Sequence, residues 1–371
     1  MSRQKIRFSY NTPGPNPREA ADKGVEAEKL GFDCVWVSDH LTDIPPAKAV
    51  YDAWTMLGDI GARTTMIRLG AGVTDIQRIH PAKVAGMIAT LDHLTNGRIN
   101  LGIGAGEVMN TQPFGMLWEP PAVRVSRLKE SLEVMKLLWG SSIDNPVSYS
   151  GDHYRLEDAH LSLLPVQKPH PPIFIGAFTS TRLFKIIGEM CHGWLPGIPN
   201  TEASFKRKVS VMKAEAERSG RSIDEIDVIA SIPFAVSEKR SVRETAKQLL
   251  KKILVFHTRL QKDLGVEVAD ESSRKNLEYQ YIAPTADYAN ELSTAVEQLQ
   301  VPDEVLDRGI DEMMGVGTLQ QCLDSFERFV NLGATNINPC PIIADEESDE
   351  ILSKEIIPYF KSKGYGKSSR G

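Results

Sequence analysis

The sequence predicts an α/β protein, a closed (β/α)8 barrel of the TIM-barrel type, and two observations carry this prediction. The 371 residues contain eight short apolar segments, and a helical pattern follows nearly every one of them. No low-complexity linker divides the chain. Regular alternation of strands and helices is typical of a parallel sheet, and eight repeats favour a closed barrel over an open doubly wound sheet. We therefore expect residues 1–371 to form a single domain with insertions in its βα loops.

The elements follow from apolar spacing and from residues that start or stop helices. Asn16 and Pro17 begin the first helix and Gly31 ends it, while Pro81 begins a helix that Gly97 ends. The expected strands are apolar runs or alternations, at 6–10, 34–37, 69–73, 99–103, 171–177, 193–197, 226–236 and 336–338. The expected helices have apolar residues at helical spacing, at 17–30, 52–62, 81–94, 123–139, 201–218, 319–331 and 349–361, with another ending near 190.

Two segments interrupt this rhythm. Residues 148–163 are expected to form an inserted hairpin, and the charged segment at about 238–310 is expected to form a mostly helical insertion. Because variation among barrels collects in βα loops, the second segment should line the entrance of a binding site. Its aromatic residues either contact a bulky apolar or pterin-like ligand or form the insertion's own core: Phe256, His257, Tyr279, Tyr281 and Tyr288.

Composition narrows the class of protein. Hydrophobic residues make up 41% and charged residues 25%, with a net charge of -6 and an isoelectric point near 5.8. Nucleic acid is not an expected partner of such an acidic chain. No apolar run is long enough to span a bilayer and the N-terminus lacks a signal-peptide core, so a cytoplasmic location without membrane contact is expected. The four cysteines and eight histidines show no metal-ligand spacing, and no metal is expected.

Glycine-rich strand ends indicate where a ligand binds. Gly70 and Gly72 end the third strand, while Gly102, Gly104 and Gly106 end the fourth and precede an acid. Ligands of β/α proteins bind at the carboxyl ends of the strands, so these bare ends suggest a flat ring against the backbone, although glycines also serve tight turns. The GxGxxG fingerprint of nicotinamide cofactors is not met.

Several motifs in order resemble a known family. The segments WVSDHL, GAGVTD, ATLDHLTNGRINLGIGAGE and IFIGA fall on the second to fifth strands and resemble the luciferase-like barrel family. The resemblance is greater to its branch that uses coenzyme F420, which includes methylenetetrahydromethanopterin reductases and phthiodiolone ketoreductases. It extends from residue 6 to about 344 and is weaker at 238–310.

The resemblance implies roles for particular residues. It places His40 and Glu107 as catalytic residues, although His40 also fits a structural strand-end histidine and Glu107 fits a helix N-terminal acid. It implies a cis peptide bond between Gly72 and Val73, where an ordinary trans bulge is the alternative. The residues implied to bind the F420 cofactor are Asp39, His40, Gly72, Val73, Thr74, Glu107, Asn110, Gly176 and Ala177. The last two match a turn near the cofactor's phosphate-bearing tail.

The chain also departs from the family pattern. Alcohol- and sugar-phosphate-oxidising members have a tryptophan four residues after the histidine, where this chain has Ile44. Methanopterin reductases have an acid on the first strand, where residues 8–10 are Phe, Ser and Tyr. Asp43 and Asp75 are alternative acids that follow the second and third strands, and Asp75 and Gln77 are expected to face the site's mouth.

The function that the resemblance implies is an F420-dependent oxidoreductase that moves hydride between the deazaflavin and an electrophilic carbon. Reduction of a carbonyl needs a proton donor beside the new alkoxide, whereas reduction of an iminium carbon needs only a nearby counter-charge. Methylenetetrahydromethanopterin reduction, a one-carbon reaction of methanogenesis, is the first expectation. An F420-dependent ketoreductase of the phthiodiolone type and an FMN-dependent monooxygenase are alternatives, and a barrel without catalysis is a third. The expected partners are a small-molecule substrate, methylene-pterin or ketone, and further copies of the chain in a homodimer or higher homo-oligomer.

Overall fold

Eight parallel strands close into the predicted barrel. The computed structural model describes residues 5–12, 16–42, 49–266, 286–343 and 346–363. The barrel strands, in chain order, are β1 Arg7–Asn11, β2 Cys34–Val37, β3 Arg68–Ala71, β4 Ile99–Gly104, β5 Ile173–Gly176, β6 Gly193–Leu195, β7 Asp227–Val236 and β8 Asn336–Pro341. Each strand pairs in parallel with the next, and β8 pairs in parallel with both β7 and β1. The fold class predicted from the sequence is therefore confirmed.

Some strand boundaries differ from the sequence expectation. The expected strand at 69–73 is broken, because β3 ends at Ala71 and a two-residue strand, Thr74–Asp75, pairs with β4 further on. β8 continues to Pro341, three residues beyond the expected end. A further strand, Gly315–Gly317, pairs with β7 outside the eight expected strands. Three residues are too short a segment to show a period in sequence.

The helices lie between the strands as expected, and their ends follow the capping residues. Asn16 caps the first helix, with its side-chain oxygen accepting a hydrogen bond from the Glu19 N–H at 3.0 Å. The helices between barrel strands are Pro17–Lys29, Ala53–Arg63, Pro81–Leu94, Pro121–Trp139, Thr181–Met190, Glu202–Arg218 and Leu319–Asn331. The predicted hairpin is present as Val147–Ser150 paired antiparallel with Arg155–Ala159. The predicted closing helix is Glu346–Ile351 and Ile357–Ser362 with a π-helical turn, Leu352–Ile356, between them.

The insertion is helical where the structure describes it. Its helices are Arg240–Phe256, Thr258–Asp263, Ala286–Gln298 and Asp303–Met313. The first and last of these pack on each other through buried apolar side chains, including Leu250, Leu254 and Ile310, in a cluster separate from the main core. Tyr279 and Tyr281, named above as entrance candidates, lie outside the described residues. None of the described helices is long and apolar enough to cross a membrane.

Side chains fill the middle of the barrel. Trp36 on β2 packs against Phe174 on β5 with ring centroids 5.0 Å apart, and both belong to a buried cluster with Cys34 and Ile229. Gly70 and Gly193 make room for these rings, because an added Cβ would lie 2.3 Å from Trp36 and 2.1 Å from Phe174. Since the centre is filled, a ligand can bind only above it, at the strands' carboxyl ends.

A half-buried histidine below the barrel gives a pH prediction. His192 accepts a hydrogen bond from the Ile173 N–H at Nδ1 (3.2 Å), and its ring meets His170 edge-on at 5.3 Å. Burial lowers the pKa of His192 to about 4, and His170 and Arg221 add to the shift. The unfolded chain then binds more protons than the folded chain between pH 6.5 and 4. The neutral His192 ring therefore contributes to the free energy of unfolding above pH 6.5, and this contribution is lost as pH falls toward 4.

We expect His192→Asn, which keeps an acceptor for the Ile173 N–H, to lose less stability than the wild type between pH 6.5 and 4. Urea unfolding followed by circular dichroism at several pH values measures the difference. His160→Asn, at an exposed loop position, is the control and should follow the wild type. Parallel curves for wild type and His192→Asn would contradict the prediction.

Candidate active site at the carboxyl end of the barrel

A cavity of about 750 Å³ opens at the carboxyl ends of the barrel strands. This volume is in the range of small-molecule binding sites. Eight of the nine residues that the resemblance assigned to the cofactor line it, namely Asp39, His40, Gly72, Val73, Thr74, Glu107, Asn110 and Gly176. Leu249 and Ile253, from the first helix of the insertion, also line it, so the insertion contributes to its wall as expected.

Ala177 does not line the cavity. Its N–H donates to the Leu195 carbonyl at 3.2 Å, and its carbonyl accepts a hydrogen bond from the Trp194 indole at 2.8 Å. The side chain is 1% exposed. Both backbone groups are therefore used inside the fold, and the assignment of Ala177 to the ligand is corrected to a structural role beside Gly176.

After the break in the third strand, the Val73 side chain lies against the ends of two other strands, β4 and β5. The Gly72–Val73 peptide bond is cis, as the resemblance implied. A Cβ added at Gly104 or Gly176 would lie 2.9 Å from a Val73 methyl group, so both glycines make room for this side chain. Val73 therefore fills the space beside Gly104 and Gly176 and presents an apolar surface to the cavity, so the backbone at Gly104 is not bare as the sequence suggested.

Asn110 holds the His40 ring in one orientation and one tautomer. The Asn110 Oδ1 accepts hydrogen bonds from the N–H groups of Leu41 (2.7 Å) and Thr42 (3.3 Å), which fixes the orientation of the amide. Its Nδ2 therefore faces His40 Nδ1 at 2.8 Å and donates to it. A ring that accepts at Nδ1 is neutral and carries its proton on Nε2. His40 thus offers an N–H donor at the cavity.

Glu107 lies beside the same ring nitrogen. Its Oε2 is 3.4 Å from His40 Nδ1 and 3.4 Å from Asn110 Nδ2, and its side chain is 34% exposed. Asn110 itself is 1% exposed. Three residues from two strand ends thus form one polar group, in which the Asn110 Nδ2 lies between the His40 ring nitrogen and the Glu107 carboxylate.

Asp39 is held away from His40, although the two are adjacent in sequence. Its carboxylate accepts hydrogen bonds from Thr74 Oγ1 at 2.5 Å and from Arg78 Nη2 at 2.9 Å, and Arg78 also donates to the Asp39 carbonyl at 2.6 Å. The side chains of Asp39 and Arg78 are 5% and 7% exposed. This buried ion pair ties the end of β2 to the segment after Val73, so Asp39 positions the wall on which a ligand would lie.

A second polar cluster surrounds Gly106. Gly106 has a φ of +96°, and an added Cβ would lie 2.7 Å from Gln77 and 2.8 Å from Asp75, so only glycine fits. Burial raises the pKa of the Asp75 carboxyl to about 6, against the opposing charge of Arg78, whose Nε lies 3.7 Å from Asp75 Oδ2. Asp75 lines the cavity as expected. Gln77 packs behind Gly106 and is not part of the lining, which corrects its expected place at the mouth.

Sequence reasoning did not find Arg124. It lines the cavity from the first turn of the helix Pro121–Trp139, with its guanidinium 3.6 Å above the Trp118 ring. Burial lowers its pKa, while Asp75 opposes the shift. Among the described residues that line the cavity, Arg124 is the one lysine or arginine. Its position in the first turn of the helix that follows a glycine-rich strand end is the signal that could have indicated it.

Sequence reasoning also missed two polar residues at the floor of the cavity. Ser231 on β7 and Asn338 on β8 both line the cavity and are 7% and 5% exposed. A polar side chain inside an otherwise apolar strand was the signal that could have indicated each of them. Asp43 and Ile44, which the sequence singled out as departures from the family, lie outside the described residues.

The comparisons with known proteins agree with the fold and site. A family model described as luciferase-like monooxygenase matches residues 2–336. The chain is 32% identical over 255 residues to an F420-dependent glucose-6-phosphate dehydrogenase of Nakamurella multipartita, covering 66% of this chain and 73% of the relative. It is 30% identical over 255 residues to a phthiodiolone/phenolphthiodiolone dimycocerosates ketoreductase of Mycobacterium kansasii, covering 64% and 67%.

A solved structure extends the comparison to the whole fold. The coenzyme F420-dependent tetrahydromethanopterin reductase of Methanopyrus kandleri superposes with a TM-score of 0.76 at 24% identity, covering 96% of this chain and 99% of that one. At this identity the similarity shows the fold alone. The family model covers most of the barrel, and the resemblance inferred from the motifs is confirmed: the chain belongs to the luciferase-like monooxygenase family.

Proposed function

We propose that the protein is an F420-dependent oxidoreductase that moves hydride between the reduced deazaflavin and a carbonyl carbon. The observation that carries the proposal is the Nε2–H of His40, which Asn110 sets as a donor at the cavity. Of the two relatives above, one is named as an F420-dependent dehydrogenase and the other as a ketoreductase, a name that describes reduction of a carbonyl group. An oxygen that gains negative charge during hydride transfer needs such a donor.

The residues of the cavity fit the cofactor. Val73 provides an apolar surface for a flat ring, and Arg124, which lines the cavity, has a buried Nε without a hydrogen-bond partner in the described part of the chain that matches a polar ring edge. Thr179 and Ser180 line the cavity at the start of the helix Thr181–Met190, and a helix N-terminus suits a phosphate group. When bound, the deazaflavin supplies a hydride equivalent and no single electrons.

The protein's own contribution is a hydrogen bond to the reacting oxygen. The His40 Nε2–H polarises the substrate oxygen and stabilises the charge that develops there. Hydride transfer to the carbonyl carbon leaves an alkoxide, which takes the proton of the product alcohol from solvent while His40 keeps its Nε2–H. Glu107 Oε2 accepts from Asn110 Nδ2 at 3.4 Å and so helps to hold the amide that orients the ring. His40 thus acts as the hydrogen-bond donor and Glu107 as a positioning residue.

A sugar phosphate fits the cavity less well than an uncharged carbonyl compound. Phosphate groups are bound by several cations or by backbone N–H groups. In the part of the chain that the structure describes, the lining offers one such cation, Arg124, which already stacks on Trp118 beside Asp75. The helix N-terminus at Thr179 and Ser180 is assigned above to the phosphate of the cofactor. We therefore place the substrate among uncharged ketones and aldehydes.

Methylenetetrahydromethanopterin reduction, the first expectation from the sequence, is the second candidate. One observation favours it: Glu107 is a partly exposed carboxylate at the cavity and could balance the charge of an iminium carbon. A His40 donor has no use at such a carbon. For that reason the carbonyl reaction stands first, and the C1-carrier reaction stays a prediction.

The experiment has two steps. Titration of the purified protein with F420 should quench the cofactor's fluorescence, and FMN should bind more weakly. Oxidation of reduced F420 is then followed with a panel of ketones, glucose 6-phosphate in the reverse direction, and methylenetetrahydromethanopterin. Turnover with ketones supports the proposal, and turnover with the pterin alone supports the second candidate. No F420 binding, or tighter binding of FMN with oxygen consumption, would replace the proposal with the monooxygenase alternative.

A further inference from the structure

The floor of the cavity contains a buried acceptor that the fold leaves unused. Ser231 and Asn338 lie opposite each other in the register of β7 and β8. The Asn338 Nδ2 donates to Ser231 Oγ at 3.2 Å, and Ser231 Oγ donates to the Pro196 carbonyl at 3.2 Å. This chain of bonds orients the amide, so Asn338 Oδ1 is the free end. Oδ1 is buried and has no hydrogen-bond partner among the described residues.

The asparagine two residues earlier shows what a purely structural residue looks like at this strand. Asn336 lies on the same face of β8, because side chains alternate along a strand. Its Oδ1 accepts from Ser9 Oγ at 2.9 Å and its Nδ2 donates to Asp227 Oδ2 at 3.2 Å. Both ends of the Asn336 amide are used. An unpaired buried acceptor such as Asn338 Oδ1 disfavours the folded state, so fold stability alone gives no reason for it.

The position of Asn338 supplies a reason, since it lines the proposed substrate cavity. A carboxylate or phosphate has no proton to donate to an amide oxygen, and an apolar group leaves that oxygen unpaired. A hydroxyl group is neutral, can donate to Oδ1 and carries no desolvated charge. Sites that hydrogen-bond a substrate hydroxyl discriminate strongly against analogues that lack it.

We propose that Asn338 binds a hydroxyl group of the substrate, so that the compound reduced in this cavity is a hydroxyketone or hydroxyaldehyde and the product is a diol. This inference rests on the proposed carbonyl reduction and adds the substrate class. Asn338 determines specificity, while His40 remains the donor at the reacting oxygen.

The first test compares hydroxyketones with matched plain ketones. The hydroxyketones carry the hydroxyl one to four carbons from the carbonyl, and kcat/KM is measured with reduced F420 for each pair. For at least one pair, the wild type should prefer the hydroxyketone, and Asn338→Leu should lower the ratio of the two kcat/KM values about 5- to 100-fold. Asn331→Leu, at the exposed end of the helix Leu319–Asn331, is the control and should keep the wild-type ratio. An unchanged ratio in Asn338→Leu for every pair would overturn the inference.

The second test separates a binding role from a structural one. In thermal unfolding without ligand, Asn336→Leu should lower Tm, because it breaks two buried hydrogen bonds, whereas Asn338→Leu should keep or raise Tm. An equal loss of Tm in both variants would show that Asn338 is structural. Loss of F420 affinity in Asn338→Leu, with an unchanged substrate ratio, would assign the residue to the cofactor and also overturn the inference.

Calorimetry with product-type ligands keeps this test independent of turnover. 1,2-Hexanediol should bind the wild type more tightly than 2-hexanol, and Asn338→Leu should remove that preference. Absence of hydride transfer to any carbonyl would reject the proposed function, whereas equal binding of diol and alcohol, with the first test also negative, would reject only the role of Asn338.

Discussion

Replacing His40 with alanine is expected to lower kcat about 10²-fold and to leave the affinity for F420 mostly unchanged. The variant loses the Nε2–H donor at the cavity, which is needed only as charge develops on the substrate oxygen. Stopped-flow oxidation of reduced F420 measures kcat, and fluorescence titration measures affinity. His160→Ala, at an exposed loop position, is the control for the loss of an imidazole. An unchanged kcat would leave His40 as a structural strand-end histidine.

Asn110 provides a matched test of how His40 is held. In Asn110→Asp, one carboxylate oxygen can still accept from the Leu41 and Thr42 N–H groups, but the other no longer donates to His40 Nδ1. The ring must then carry a proton on Nδ1, next to two carboxylates. We expect the acid limb of the pH–rate profile to move to higher pH and kcat to change more than the F420 affinity. A change in kcat without a shift of the profile would argue against control of the tautomer.

Gly102→Ala is expected to destabilise the folded barrel by on the order of 3–4 kcal/mol, or to prevent folding. An added Cβ would lie 1.8 Å from the Ala71 carbonyl oxygen, and this contact is with backbone that cannot rotate away as a side chain could. Relief therefore requires β4 to separate from β3 at the point where the cavity wall is built. Urea unfolding of the wild type and of Gly102→Ala gives the difference in the free energy of unfolding.

Gly86→Ala is the matched control for this substitution. Gly86 lies within the helix Pro81–Leu94, and nothing lies within 4 Å of an added Cβ. Alanine is favoured over glycine inside a helix, so this variant should gain about 0.5–1 kcal/mol. A similar small change in both variants would show that β3 and β4 can move apart at little cost, and the account of the wall would be wrong.

The sequence predicted the barrel because its signals are local. Helices such as Pro81–Leu94 and strands such as β4 are specified by apolar periods of 3.6 and 2 residues and by the glycines and prolines at their ends. The predictions failed where that signal was short or interrupted. The strand Gly315–Gly317 has too few residues to show a period, and the break at Gly72 and Val73 ends the third strand within an apolar run.

The fold class and the carboxyl end of the barrel as the place of the site were predictable from the pattern of residues, and the family resemblance named His40, Glu107 and Asn110 as candidates. The pattern did not show which atoms meet in the folded chain. His40 and Asn110 are separated by 70 residues, and Ser231 and Asn338 by 107. The tertiary structure also showed that Asp39 bonds to Thr74 and Arg78 rather than to His40. A periodic pattern reports which face of an element is buried. Hydrogen-bond partners across a barrel depend instead on strand register and side-chain orientation, which distant segments set together.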